Sequence, residues 1–177
     1  MDLDELLLAL SKENSPGFLI ARNPFERLVS AYRNKIIGRS KIPNIRRAIL
    51  AKNRTLTAPR DPTFKEFVSY ILDEFHSGQC LDLHWAPVYE VCNPCHVNLT
   101  HIIKFETFDR DSSALLQKTN LSHLLLPDRE LILPEQNVSV RNQTSASLVD
   151  SYLNELTPEL LYGLCNCLLY TSDAADE

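Results

Sequence analysis

Only four glycines occur in the 177 residues, and no Gly-x-x-x-x-Gly-Lys-Ser/Thr stretch is present. That absence argues against a small nucleotide kinase, which would cradle phosphates on such a loop. Long apolar runs are also missing. The longest are Leu6–Leu10 and Phe18–Ala21, far below the roughly 20 residues a membrane helix needs. Met1 is not followed by a basic and then an apolar stretch, so it is not expected to open a secretory signal peptide. Acidic residues are absent from one long segment, Arg33 to Arg60, which holds nine Lys or Arg and so half of the chain's 18 basic residues. There is no internal repeat and no sign of a second domain. At 44% hydrophobic and 23% charged, the composition is that of an ordinary folded domain with one core.

What is present points to an oxidising lumen. Asn-x-Ser/Thr acceptors stand at Asn53, Asn98, Asn120, Asn137 and Asn142, and such sites matter only in a lumenal or secreted chain. The five cysteines, Cys80, Cys92, Cys95, Cys165 and Cys167, would be able to form disulfides there. Lumenal features behind an unmarked N-terminus predict that upstream sequence is missing.

The last eleven residues, Cys167 to Glu177, are similar to one reading frame of a transposon-based sequencing-library adapter. The expectation is a native partial domain over 1–166 and a foreign tail over 167–177. Without the tail's Asp173, Asp176 and Glu177, 20 acidic residues face 18 basic ones, and the net charge moves from −5 to −2.

Along the chain, Asp4–Ser11 reads as a short amphipathic helix before the Asn14-Ser15-Pro16-Gly17 turn. Gly17–Ala21 is a compact apolar run that reads as a buried strand of a parallel sheet. Asn23 is placed as N-cap of the next helix, with Pro24 at its first position and Glu26 completing a capping-box-like start. Apolar residues at Phe25, Leu28, Val29, Tyr32 and Ile36 continue the helix. Ile42, Ile45, Ile49 and Leu50 suggest helix inside the basic segment. Thr63 with Glu66 starts an amphipathic helix with Phe64, Phe67, Val68, Ile71, Leu72 and Phe75 buried, ending at Gly78. His84–Val91 is an apolar segment. Ile102–Phe105 reads as a strand, Asp109–Gln117 as a helix, and Leu124–Asn142 as a loop. Leu148–Leu156 and Pro158–Leu164 read as closing helices.

The chemistry concentrates where the first strand ends. Arg22 follows the strand, Pro24 turns the chain, and Ser30 sits eight residues after the arginine. Open α/β sheets place ligands at this end of their strands. A helix start favours an anion, a guanidinium forks onto phosphate, and a serine on the helix adds a donor.

The stretch Arg22-Asn-Pro24-Phe25-Glu-Arg27-Leu28-Val-Ser30-Ala31-Tyr32-Arg33-Asn-Lys35 resembles the 3′-phosphate-binding motif of the Golgi carbohydrate sulfotransferases. The nearest group is that of the chondroitin, dermatan and GalNAc 4-sulfotransferases and the HNK-1 enzymes. His84-Trp85-x-Pro87-Val88-Tyr89-x-x-Cys92-x-Pro94-Cys95 is similar to that group's His-Trp to Cys-x-Pro-Cys segment. Ile103-Lys104-Phe105-Glu106-Thr107 resembles its Gly-Lys-x-Glu-Thr strand, and Leu156-Thr157-Pro158-Glu159 its late helix start. The resemblance runs from about Leu10 to Asn166.

The resemblance implies an incomplete α/β fold of the P-loop-NTPase-like sulfotransferase kind, with several helices around a short parallel sheet. It implies 3′-phosphoadenosine 5′-phosphosulfate as donor, with Arg22 and Ser30 on its 3′-phosphate, and no metal. The reaction implied is in-line sulfuryl transfer to a hydroxyl of a glycosaminoglycan or N-glycan sugar, a step governed by positioning and charge stabilisation. The implied setting is the Golgi lumen, as a type II membrane protein whose N-terminal anchor is missing from this chain. The family's upstream Pro-Lys-x-Gly-x-(Ser/Thr/Cys)-x-Trp loop does not occur here, so the fragment is expected to be inactive.

Several residues carry two readings. His84 is either the base for the acceptor hydroxyl or a structural histidine beside Trp85. Glu106 and Glu26 are weaker candidates for that base. Arg27 and Arg33 belong to a solvated helix face or contact donor or substrate. Cys92 and Cys95 suggest zinc less than structural disulfides using Cys80 or Cys165, because no second ligand pair is spaced for a metal. The basic segment is a solvated face or a surface for a polyanionic glycan. A non-catalytic lumenal glycan-binding protein of the same fold is therefore the second reading. Nucleic acid is disfavoured by the overall acidity and the lack of a recognised motif.

Overall fold

The computed structural model describes residues 17–38, 41–53, 61–92, 94, 99–119 and 146–169. Its elements are β1 (Gly17–Ala21), α1 (Pro24–Ala31), a π turn over Tyr32–Ile36, α2 (Pro43–Asn53), α3 (Phe64–His76), α4 (Val88–Cys92), β2 (Leu99–Lys104), a 3-10 turn over Phe105–Thr107, α5 (Phe108–Lys118), a 3-10 turn over Ala146–Leu148, α6 (Val149–Leu153) and α7 (Pro158–Leu169). The expected helix over Asp4–Ser11 and loop over Leu124–Asn142 lie outside the described residues. The chain divides into two units, residues 1–23 with 88–138 and residues 24–87 with 139–177.

In the first unit, β1 and β2 pair in parallel, with Leu19 opposite Ile102 and Ala21 opposite Lys104. The Thr100 hydroxyl donates to the Gly17 carbonyl at 2.9 Å. Both expected strands form, the second over Leu99–Lys104 instead of Ile102–Phe105 because Phe105 opens the 3-10 turn, and the mixed α/β class with a short parallel sheet holds. The reading of β1 as a buried strand is corrected, since Phe18 and Ile20 are 52% and 46% exposed. Successive strand residues point to opposite faces, and β2 is the one strand paired with β1 among the described residues. Ile103, Ser112 and Leu115 are buried where α5 packs on β2. The Asp111 carboxylate fastens that junction. It accepts from the Thr107 hydroxyl at 2.7 Å, from the Lys104 N–H at 3.1 Å and from Arg110 Nε at 3.0 Å. The Thr107 bond first, then the Lys104 bond, holds the Asp111 carboxyl below its usual range.

The second unit is helical and contains the main core. Tyr32 lies at its centre, edge-on to Phe64 at 5.2 Å and to Tyr152 at 5.6 Å, and stacked on Phe67 at 5.7 Å. Phe67 meets Trp85 edge-on at 5.1 Å. Such geometries suit the ring quadrupoles. The Tyr32 hydroxyl donates to the Pro62 carbonyl at 2.7 Å. Burial, then the nearby Tyr152, pushes its ionisation well above the ordinary phenol range. The expected continuous helix through Ile36 changes after Ala31: the Ile37 N–H bonds the Tyr32 carbonyl at 3.1 Å, the five-residue step of a π turn. That wider turn buries both Tyr32 and Ile36. Gly38 closes it where no side chain fits, because a Cβ there would lie 2.2 Å from the Arg33 carbonyl oxygen.

The start of α3 follows the sequence reading. Thr63 and Glu66 form a reciprocal capping box, the Glu66 N–H to Thr63 Oγ1 at 3.2 Å and the Thr63 N–H to Glu66 Oε2 at 2.7 Å. Phe64, Phe67, Val68, Ile71 and Leu72 are its buried face. Gly78 follows the helix with φ at 69°, a left-handed conformation that glycine adopts without strain. Helix α7 packs against α3. It continues past Asn166, the boundary expected from the sequence, to Leu169, with Cys167 and Leu168 buried in the core.

Phe67 touches the rings of Tyr32, Phe64 and Trp85 from a fully buried position, so Phe67→Ala is expected to cost about 3–5 kcal/mol, read as a lower urea midpoint for the chain. Thr63→Ala removes only the cap and is expected to cost about 1 kcal/mol. A second test concerns acid. The Asp111 carboxyl is held low in the folded state, so what it contributes is present above the unfolded value and is lost as pH falls through the folded one. Amide exchange at Lys104, corrected for its intrinsic pH dependence, should accelerate as pH drops below the ordinary carboxylate range. In Asp111→Asn that acid step should be absent.

Candidate functional site

Arg22 is the first residue after β1 and belongs to the first unit. Its guanidinium carbon lies 4.9 Å from the centre of the Phe105 ring, within reach of a cation–π attraction. The backbone N–H of the next residue, Asn23, donates to Glu106 Oε1 at 2.6 Å. That bond is the largest cause holding the Glu106 carboxyl below its usual range, and the charges of Arg22 and Lys104 add to it. Asn23, read from the sequence as the N-cap of α1, thus gives its N–H to Glu106, 83 residues further on. Both partners sit where β1 and β2 end, the side of a parallel pair at which α/β proteins bind ligands.

Ser30 and His84 belong to the second unit. Ser30 is half-buried on α1, between Val29 and Ala31, which are both buried. The same helix sends the Arg27 guanidinium to the Ala86 carbonyl. Arg27 therefore ties α1 to the segment that carries His84 and Trp85, a role outside both sequence readings.

His84 lies in a turn organised by Asp82. The Asp82 carbonyl accepts from the N–H groups of Trp85 at 3.0 Å and Ala86 at 2.8 Å. Its carboxylate oxygen Oδ1 accepts from the His84 N–H at 2.9 Å and sits 2.6 Å from His84 Nδ1. A carboxylate at Nδ1 sets that nitrogen as the N–H, which leaves Nε2 as the basic atom. The imidazole is 33% exposed beside the buried Trp85, so the two readings of His84 meet in one place. Asp82 was missed by the sequence analysis. Its only signal was a carboxylate two residues before a histidine.

The basic segment is partly neutralised. Lys41 and Arg46 reach Asp61 at 3.0 and 2.6 Å, and Lys52 reaches Asp73 at 2.6 Å. Burial raises the Asp61 carboxyl, but its bonds to Lys41 and Arg46 outweigh that and hold it low. Cys80, Cys92 and Cys165 carry free thiols, so the expected disulfides do not form among these three; Cys95 lies outside the described residues. No group of three or more metal-ligating side chains occurs among the described residues.

The family model described as the sulfotransferase family matches residues 5–174. The chain is 40% identical over 122 residues to carbohydrate sulfotransferase 11 of Mus musculus, covering 61% of this chain and 34% of that protein. It is 34% identical over 149 residues to carbohydrate sulfotransferase 9 of Homo sapiens, covering 78% of this chain and 32% of that protein. It is 28% identical over 154 residues to carbohydrate sulfotransferase 14 of Danio rerio, covering 81% of this chain and 41% of that protein. No solved structure matches the chain. The chain spans about a third of the length of the first of these relatives. With the family model matching nearly its whole length, the chain belongs to the sulfotransferase family.

Proposed function

We propose that these residues are part of an enzyme that transfers a sulfuryl group from 3′-phosphoadenosine 5′-phosphosulfate to a hydroxyl of a glycosaminoglycan or N-glycan sugar. The observation that carries this is the placement of Arg22 directly after β1, its guanidinium over Phe105, in a stretch that keeps the family's Arg-x-Pro-Phe spacing to Ser30. A guanidinium and a hydroxyl are the donor set a phosphate monoester takes. Arg22 forks onto the donor's 3′-phosphate and Ser30 donates one further bond. His84 Nε2 takes the proton of the acceptor hydroxyl as its oxygen bonds to sulfur, and Asp82 steadies the imidazolium through Nδ1. The sulfur–oxygen bond to the nucleotide breaks, and adenosine 3′,5′-bisphosphate leaves with that electron pair.

The family's lysine loop does not occur in these 177 residues. The reading therefore assigns them 3′-phosphate binding without turnover. It places the protein in the Golgi lumen as a type II membrane protein, supported by the five glycosylation acceptors. No described helix is long and apolar enough to cross a membrane. The reading also treats 167–177 as foreign to the domain over 1–166. Cys167 and Leu168 extend α7 because they continue its apolar stripe, and sequencing the transcript through this point checks it. The glycan-binding reading rests on the absent lysine loop together with the basic segment, where Lys41, Arg46 and Lys52 already face carboxylates.

Calorimetry with adenosine 3′,5′-bisphosphate tests the donor site in this chain. Arg22→Ala is expected to weaken binding about 10- to 100-fold, the loss of a charge-assisted hydrogen bond, and Ser30→Ala by less. A chain that binds heparin and no nucleotide would overturn the reading in favour of the glycan-binding one. In the complete protein, His84→Ala is expected to lower turnover by about 10²–10⁴-fold with nucleotide affinity retained, and Asp82→Asn to lower it by a smaller factor. Turnover unchanged in His84→Ala would leave His84 a structural residue.

A further inference from the structure

We propose that Glu106 is a positioning residue for the donor-binding arginine, acting with Phe105 as a two-point grip on the chain where β1 ends. The inference rests on the reading of Arg22 as a ligand of the donor's phosphate. Two adjacent residues of one turn hold two adjacent residues of another. Phe105 lies under the Arg22 guanidinium at 4.9 Å, and Glu106 Oε1 accepts from the Asn23 N–H at 2.6 Å. The direction in which Arg22 points depends on the backbone dihedrals of the residues after β1. Fixing the Asn23 N–H fixes those dihedrals, and the ring gives the guanidinium a shelf.

The grip is itself braced. The 3-10 turn that presents Phe105 and Glu106 is held at both ends by Asp111, through the Lys104 N–H and the Thr107 hydroxyl. A carboxylate near an anion site would ordinarily work against an anion. Here one oxygen is committed to a backbone N–H, while the guanidinium faces the ring. The arginine is thus ordered before the ligand arrives, and ordering a long side chain in advance lowers the entropic cost of binding.

Two readouts on the 177-residue chain test this: affinity for adenosine 3′,5′-bisphosphate, and the Arg22 Nε–Hε resonance, which the Phe105 ring current displaces. Glu106→Ala is expected to weaken binding about tenfold, the order seen when a supporting partner of a ligand-binding group is lost, and to shift the Arg22 resonance away from its ring-displaced position. Glu106→Gln keeps an oxygen for the Asn23 N–H and is expected to recover most of both. Phe105→Leu should abolish the displacement and weaken binding. Unchanged affinity in Glu106→Ala, or a loss of affinity with the Arg22 resonance unmoved, overturns the proposal. If Glu106→Ala does not fold, Glu106→Asp, one methylene shorter, decides in its place: unchanged affinity and resonance there overturn it. The two ideas fail separately. Arg22→Ala binding as tightly as the parent sinks the donor-site reading, whereas a weakened Arg22→Ala beside an unaffected Glu106→Ala sinks only this inference.

Discussion

Burying Tyr32 is the constraint on which the second unit depends. A phenol ring taken out of water must pack on every face and still find a partner for its hydroxyl. Phe64, Phe67 and Tyr152 surround the ring, and the Pro62 carbonyl receives the hydroxyl. Meeting both demands fixes how α1 runs into its π turn, where the segment before α3 must pass, and which face of α3 is buried. Phe67 carries the packing on to Trp85. The indole in turn holds the segment with His84, and Arg27 bonds the Ala86 carbonyl beside it. The chemistry proposed for Ser30 and His84 therefore stands on one continuous aromatic core.

The first unit solves a different problem. Among its described residues Phe18, Ile20 and Ile102 are exposed. Its order at the strand ends comes from carboxylates that accept backbone N–H groups. Asp111 accepts from Lys104 and Glu106 from Asn23. Charged acceptors make stronger bonds than neutral ones, and both carboxyls are held below their usual range by these bonds. Exposed electrostatics of this kind add little to stability. What they do is fix backbone direction, which is what the donor-binding role proposed for Arg22 requires.

Much of this was legible in the sequence because it is local. The cap at Thr63 and Glu66, the apolar spacing from Phe64 to Leu72, the strand at Gly17–Ala21 and the helix opening at Pro24 all follow from residues within a few positions of one another. The spacing from Arg22 to Ser30 and the family it resembles were equally readable. The π turn after Ala31 was not, because a wider turn has nearly the same apolar pattern as a continued helix. Nor was the exposure of alternate β1 residues, since an apolar run does not say how many strands flank it.

By itself the sequence determined which residues are proposed to carry the chemistry: a guanidinium after a strand, a serine on the following helix, and a histidine beside a tryptophan. Their types and short-range spacing suffice for that. Only the tertiary structure decided which residues hold them. Glu106 reaches Asn23 across 83 residues, and Arg27 reaches Ala86 across 59. No local pattern encodes such pairings, because hydrogen bonds between distant positions exist only once the core has brought their backbones within reach.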